Sequence, residues 1–389
     1  MKIIAFLGEK FYKKNSTTFY CSSDSYKFIQ QSFEKEKIIY SSQLKEYKDE
    51  PFTSILHSDK FYGVPFIDSN LNLVKYIINP IKLKKLIHTF DNIIKENSGS
   101  IFWVRNPALI SILFTMRVIK HQERLISHFC ADVKGISSSK YKFIKWILAI
   151  IIEKYILFCM KKIELYNDSI IFCTGSILHN RYKNSHYLLD IQTPQNYYPK
   201  QDDRENNFFL FVGRIQDDKG IFELLSAFKK YLITEKGKVQ KLKFVGSGCD
   251  SKKLQQKIHD FGLEKNVDYL GPKNKEELYS LYNNCHCVIV PSKNRYEGFP
   301  RVIVESWYFR KPVIVSNVGG ISGLAEHNIN CILIDNIDVD KITQSLSKIT
   351  DDIYYASIKI NLEKQTDITS TNYWKNKVIK EVNRKFHHD

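Results

Sequence analysis

In the second half of the chain, short apolar runs alternate with amphipathic stretches, and this alternation restricts the fold more than any other feature of the sequence. The runs occupy residues 208–212, 242–245, 267–270, 287–290, 312–315 and 331–334. Unbroken apolar runs of this length suit strands covered on both faces. Between them Leu224, Leu225, Phe228 and Leu232, and then Leu254, Ile258 and Phe261, recur at helical spacing. Strands separated by such helices predict a parallel sheet with helices on both faces, a Rossmann-like domain. Ligands of such sheets bind just beyond the carboxyl ends of the strands.

The first half is less regular, but KIIAFL, KIIY, IFWV, RLISHF and SIIFC read as strands of a second α/β unit. A length of 389 residues suits two domains better than one core. The polar, proline-containing segment 193–207 has no periodicity and reads as a linker. The expected division is therefore 1–192, the linker 193–207, a second domain 208–360, and a terminal helical segment 361–389 returning toward the first domain.

Eight cysteines without a C-x-x-C pair argue against a disulfide framework or a zinc site and for reduced thiols in a cytosolic protein. Cys285-His286-Cys287 lies in a strand-like run whose side chains alternate between faces. The N-terminal apolar run, residues 3–7, is shorter than a signal-peptide core and reads as a buried strand. The most apolar region, residues 143–163, contains Lys145, Glu153 and Lys154, too many charges for a membrane span. Ile144, Leu148, Ile151, Ile152, Tyr155 and Phe158 fit a helical period, which leaves a core helix or an interfacial membrane helix. The formal net charge of +16 points to polyanionic partners, and residues 1–200 carry +12 of it.

The strand exits hold the chemistry. Gly213-Arg214 followed by Lys219-Gly220 places two cations around a tight turn at a helix N-terminus, as holding a diphosphate requires. Gly246 marks a second glycine exit. Glu297-Gly298-Phe299-Pro300-Arg301-Val302-Ile303-Val304-Glu305 sets two carboxylates seven residues apart, the first in a loop and the second along a helix that Pro300 is expected to open as its first residue. With the amides of Gly298 and Phe299 they suit the hydroxyls of an elongated, sugar-containing ligand. Ser316 to Ile321 adds the Gly319-Gly320 pair. Asp338-Val339-Asp340 opens a late helix and reads as a cap rather than a metal motif; no metal is expected.

These three ordered motifs resemble the retaining GT-B glycosyltransferases of family 4, the glycosyl transferases group 1 domain. The resemblance implies an α/β GT-B architecture of two Rossmann-like domains facing across a cleft. It also implies an enzyme, a hexosyltransferase acting with retention, whose nucleotide-diphosphate sugar donor, UDP- or GDP-linked, is held mainly by the C-terminal domain without cofactor or metal. Carried over residue by residue, Arg214 and Lys219 bind the donor diphosphate, Glu297 contacts the transferred sugar, Gly298 to Pro300 meet its hydroxyls, and Glu305 binds the ribose. Gly213, Gly246 and Gly320 complete the donor side.

The sequence departs from the pattern at Ser322-Gly323, at Asn330-Cys331, and at Gly8-Glu9, where a glycine pair is usual. In the first domain Asp132 is the preferred catalytic candidate by its strand-exit position, with His128 as the alternative; a capping Asp132 and a buried His128 are the structural readings. The basic first half suggests an acceptor at the inner face of the cytoplasmic membrane. A lipid-diphosphate-linked saccharide in cell-surface polysaccharide synthesis of the capsule or O-antigen type would fit, the protein being cytoplasmic and peripheral to an anionic membrane. Competing readings are a nucleotide-sugar-binding protein of the same fold without transferase activity, and a basic nucleic-acid-binding protein, for which no zinc-finger, RNP-like or helix-turn-helix signature is present. A glycoside hydrolase would leave Arg214 and Lys219 without a role.

Overall fold

In the computed structural model the chain divides into two compact units, Met1–Gln192 together with Trp374–Asp389, and Thr193–Tyr373. The structure describes residues 1–22, 24–47, 54–68, 70–135, 144–194, 208–233, 241–294 and 298–386.

Among the described residues the first unit is built on a nine-stranded sheet. Its elements run β1 (Lys2–Lys13), β2 (Thr18–Cys21), α1 (Ser25–Ser32), β3 (Lys37–Glu46), β4 (Ser54–His57), β5 (Phe61–Pro65), α2 (Asn70–Ile78), α3 (Pro80–Lys95), β6 (Ile101–Asn106), α4 (Leu109–Lys120), β7 (Arg124–Phe129), α5 (Ile144–Glu164), β8 (Ser169–Cys173), α6 (Ser176–Arg181) and β9 (Ser185–Tyr187). The five runs read from the sequence are β1, β3, β6, β7 and β8, and they pair in parallel. The far half of β1, rich in polar residues, continues past a register shift to pair antiparallel with β2.

Alternate residues of the central strands sort onto the two faces of this sheet. Ile4, Phe6, Phe102, Val104, Leu125, Phe129 and Ile171 join one core with α2 to α5. On the other face Trp103 stacks on Phe172 and meets Phe33 beyond α1. The described part of the segment, from Ile144 on, is helical, but its packing face is rotated from the expected one. Ile156, Cys159, Met160 and Ile163 are buried, while Ile151, Tyr155 and Phe158 stand exposed. Docking through the C-terminal third, against α4 and β8, sets that rotation.

The second unit contains β10 (Phe208–Val212), α7 (Ile221–Leu232), β11 (Lys241–Val245), α8 (Ser251–Asp260), β12 (Val267–Tyr269), α9 (Lys275–Asn284), β13 (Cys287–Val290), α10 (Arg301–Tyr308), β14 (Val313–Ser316), β15 (Cys331–Ile334), α11 (Val339–Ile349), α12 (Asp352–Lys364) and α13 (Thr366–Thr369). Its strands lie in the order β12-β11-β10-β13-β14-β15, all parallel. The order reverses between β10 and β13, which makes their exits the expected crevice of a doubly wound sheet. The last helix, α14 (Thr371–Phe386), leaves this unit. It buries Trp374, Val378 and Val382 and brings Trp374 against Tyr187, Lys375 to Glu34 and Glu381 to His186.

Candidate active site

The exits of β10 and β13 are joined by backbone. After β10 the chain makes a single 3-10 turn, Asp217–Lys219, and enters α7 through Gly220, whose φ is 69°. A Cβ at Gly220 would meet the Pro291 carbonyl oxygen at 1.9 Å. Glycine is therefore required twice, for the left-handed backbone and for the approach to the β13 exit. Lys293 donates its amide to the Asp218 carbonyl at 2.9 Å, and its ammonium reaches Asp217 at 3.0 Å and Glu223 at 2.8 Å. Burial works against that ammonium, yet the bonds and charge of Glu223 and Asp217 hold its pKa above the ordinary lysine value. Lys293 was not legible as a site residue, because its two acidic partners lie some 70 positions earlier.

Arg214 lies in the first turn and is exposed, with its guanidinium 3.0 Å from Gln216 Oε1 and 3.6 Å from Asp218. So solvated an ion pair holds a side chain only weakly. Lys219 sits at the other end of the same turn, half-buried. Beside them Asp218 Oδ1 and Glu223 Oε2 are buried without a hydrogen-bond partner among the described residues.

The glycine exit of β11 serves this turn rather than offering free amides. A Cβ on Gly246, at φ 129°, would lie 1.9 Å from the Gly213 carbonyl oxygen. Its own N–H is bonded to the Gly271 carbonyl, and the Gly213 N–H to the Val245 carbonyl. Asp250 closes the arrangement by accepting the Asp217 amide at 2.8 Å.

Beyond β13 the Ser316 hydroxyl donates to the Ser292 carbonyl at 2.6 Å and ties the exits of β13 and β14 together. Glu297 lies outside the described residues. Gly298, Phe299 and Pro300 lead directly into α10, with Phe299 buried against Trp307. Pro300 stands one position earlier than expected, as the residue before the helix. Glu305 accordingly sits four residues into α10, about 6 Å along its axis. Its carboxylate accepts the Tyr282 hydroxyl at 2.7 Å. Tyr282 is fully buried and stacked on Phe309; burial, then the Glu305 charge, raises its pKa well above the ordinary phenol value. The carboxylate is thus held in one orientation from the neighbouring helix.

In the β14 exit Gly319 has φ 59° and Gly320 is buried. Asn330, just before the departure at Cys331, is fully buried and bonds the Leu324 carbonyl, the Glu326 amide and Gln365, so it braces the turn. Asp338 caps α11 through the Asp340 amide, and Asp340 pairs with Lys230 at 2.5 Å. His286 stacks on Tyr355 while Cys285 and Cys287 are buried in the core.

The carboxyl edge of the first sheet is built differently. Both Asp132 oxygens accept from Arg181 at 2.6 Å, and one also accepts the Lys134 amide. His128 is buried, 2.9 Å from the Thr174 hydroxyl; burial, opposed by Asp190 and reinforced by Arg105, lowers its pKa to about 4. Sequence reasoning missed Arg105 at the end of β6, which reaches Asp190 at 3.1 Å, Glu9 at 3.3 Å and Cys130 Sγ at 3.0 Å. Near them a hollow of about 350 Å³ is lined by Gly8, Lys10, Gln43, Asp68 and the start of α4.

Residues 196–365, which lie within the second unit, match the family model of glycosyl transferases group 1. An uncharacterized glycosyltransferase of Methanocaldococcus jannaschii is 31% identical over 183 residues, 47% of this chain and 45% of the relative. The capsular polysaccharide biosynthesis glycosyltransferase CapM of Staphylococcus aureus is 26% identical over 235 residues, 57% of this chain and 60% of its own. The chain thus spans about half the length of these two relatives. Among solved structures, HepE of Anabaena in complex with UDP-glucose superposes with a TM-score of 0.66 at 14% identity, covering 98% of this chain and 99% of that one. The fold is that of the GT-B glycosyltransferases.

Proposed function

We propose that the chain is a glycosyltransferase that moves a hexose-type sugar from a UDP- or GDP-linked donor to a saccharide acceptor, with retention and without a metal. The observation that carries the reading is the β10–β13 crevice. There a backbone-locked turn carries Arg214 and Lys219, and Glu305 stands four residues into the helix that follows β13, within the stretch that matches the group 1 family. A departing nucleoside diphosphate gains negative charge, and cations fixed in advance lower that barrier without reorganising. Arg214 and Lys219 take this role. Glu297 contacts the transferred sugar, the backbone of Gly298 to Pro300 meets its hydroxyls, and Glu305, oriented by Tyr282, binds the ribose. Retention follows when the acceptor hydroxyl attacks the face the leaving group vacates and passes its proton to the donor phosphate.

The first unit takes the acceptor, with the hollow near Gly8 and Gln43 as its seat. A saccharide carried on a lipid diphosphate, for a capsule-type or O-antigen-type polymer, is the acceptor favoured by the basic first half and by the capsular relative. The test is a thermal-shift screen with UDP, GDP, ADP and their sugars, followed by transfer assays with and without a chelator. One nucleotide class should stabilise the protein. Arg214→Ala and Glu297→Ala should each cut turnover by roughly 10²-fold or more with the melting curve unchanged. Full activity in either variant, or indifference to every nucleotide, would overturn the assignment.

A further inference from the structure

Helices α2 to α5 cover one face of the first sheet and share its core. Their outer surface combines two features. Ile78 and Ile81, at the corner between α2 and α3, are 72% and 79% exposed. Along α5, Ile147, Ile151 and Phe158 are each more than half exposed, with Trp146 and Tyr155 beside them and Leu165 just past its end. Residues 147, 151, 158 and 165 fall within ~40° of one another around the helix axis, so they form a stripe.

Charge on the same layer is one-sided. The four helices contain eleven Lys and Arg but three Asp and Glu, half of the net charge of the chain. Each of the three carboxylates is already engaged. Asp91 is held by Arg117 at 2.7 Å and His121 at 3.0 Å, Glu164 is 5% exposed and paired with Lys161, and Glu153 accepts the Gly135 amide. The lysines face water: Lys75, Lys82, Lys84 and Lys85 surround the α2–α3 corner, and Lys154 and Lys162 flank the α5 stripe. Lys162 lies over the Phe158 ring at 4.8 Å. Exposed Ile, Phe and Trp interleaved with lysines, with the carboxylates occupied, match a surface whose apolar side chains enter the acyl boundary while ammonium groups meet lipid phosphates. Among the described residues no helix is long and apolar enough to cross a membrane.

We infer that this helix layer docks on an anionic phospholipid bilayer, with the α2–α3 corner and the α5 stripe as its two points of insertion. The inference does not depend on the transferase reading.

The full chain would be pelleted with vesicles of phosphatidylglycerol and phosphatidylcholine, and with phosphatidylcholine alone. It should sediment with the anionic vesicles only, and less at high salt. Ile81→Glu and the double variant Ile151→Glu/Phe158→Glu should each lower the partition coefficient roughly tenfold or more. Lys82→Gln/Lys84→Gln/Lys85→Gln should weaken it roughly fivefold per lysine. All these positions are exposed, so circular dichroism and the nucleotide-induced thermal shift should stay as in the parent. Three results would overturn the inference: no sedimentation with anionic vesicles at low salt, glutamate variants that bind like the parent, or tighter binding to single-stranded RNA that the apolar variants retain.

Discussion

At the carboxyl edge of the second sheet the loops are held by backbone lying against backbone, whereas at the same edge of the first sheet they are held by ion pairs between side chains. Gly220 touches the Pro291 carbonyl and Gly246 the Gly213 carbonyl. In the first unit Arg105 reaches Glu9 and Asp190, and Arg181 reaches Asp132. A glycine-built edge fixes its turns through the main chain, and the pairs of Lys293 with Asp217 and Glu223 only add to that hold. An edge built on charges must tie up its carboxylates and guanidinium groups to exist at all.

The comparison can be broken or sharpened by experiment. Gly220→Ala should have the largest effect, a loss of roughly 3 kcal/mol or more, from the left-handed backbone and the clash with Pro291. Urea unfolding would measure it, and near-neutral behaviour would mean that the two exits are not locked. His128 comes next. Its folded pKa of about 4 lies below that of a solvated histidine, so as pH falls through 6.5 the unfolded chain gains a proton that the folded one refuses. Stability should drop between about pH 6.5 and 4, by ~3 kcal/mol at the lower end. The difference between the parent and His128→Gln should reproduce that slope, and its absence would show the imidazole to be solvated.

Asp132→Asn should cost ~2 kcal/mol by leaving Arg181 half-paired in a partly exposed site. With both oxygens engaged, its kcat per folded molecule should fall only slightly; a loss of two orders of magnitude at unchanged melting temperature would instead make Asp132 catalytic. Smallest is Asp338→Ala, about 1 kcal/mol for a lost helix cap, with transfer the same as in the parent whether or not a chelator is present.

The same difference decides what could be read from the sequence. Strands covered on both faces appear as apolar runs, and the exits of β10 and β14 appear as glycines, because backbone proximity leaves a local mark. The placement of Lys293 between Asp217 and Glu223, or of Arg105 between Glu9 and Asp190, leaves none, since the partners are joined only by the strand order. Gly246 was visible, but its close contact with Gly213 looks in the sequence like a free amide offered to a ligand. The face of α5 was misjudged for a related reason. Apolar residues stand on every side of it, so periodicity alone could not tell the packed side from the exposed one.

The last helix has a bearing on how the molecule is made. Trp374, Val378 and Val382 fill a core whose other residues are encoded ahead of the entire second unit. On the ribosome, the first unit therefore cannot complete this packing until Thr193–Tyr373 has been synthesised. The second unit, one uninterrupted segment, can fold as it emerges. The half begun first is thus the half completed last, and it also bears the exposed α2–α3 corner and α5 stripe.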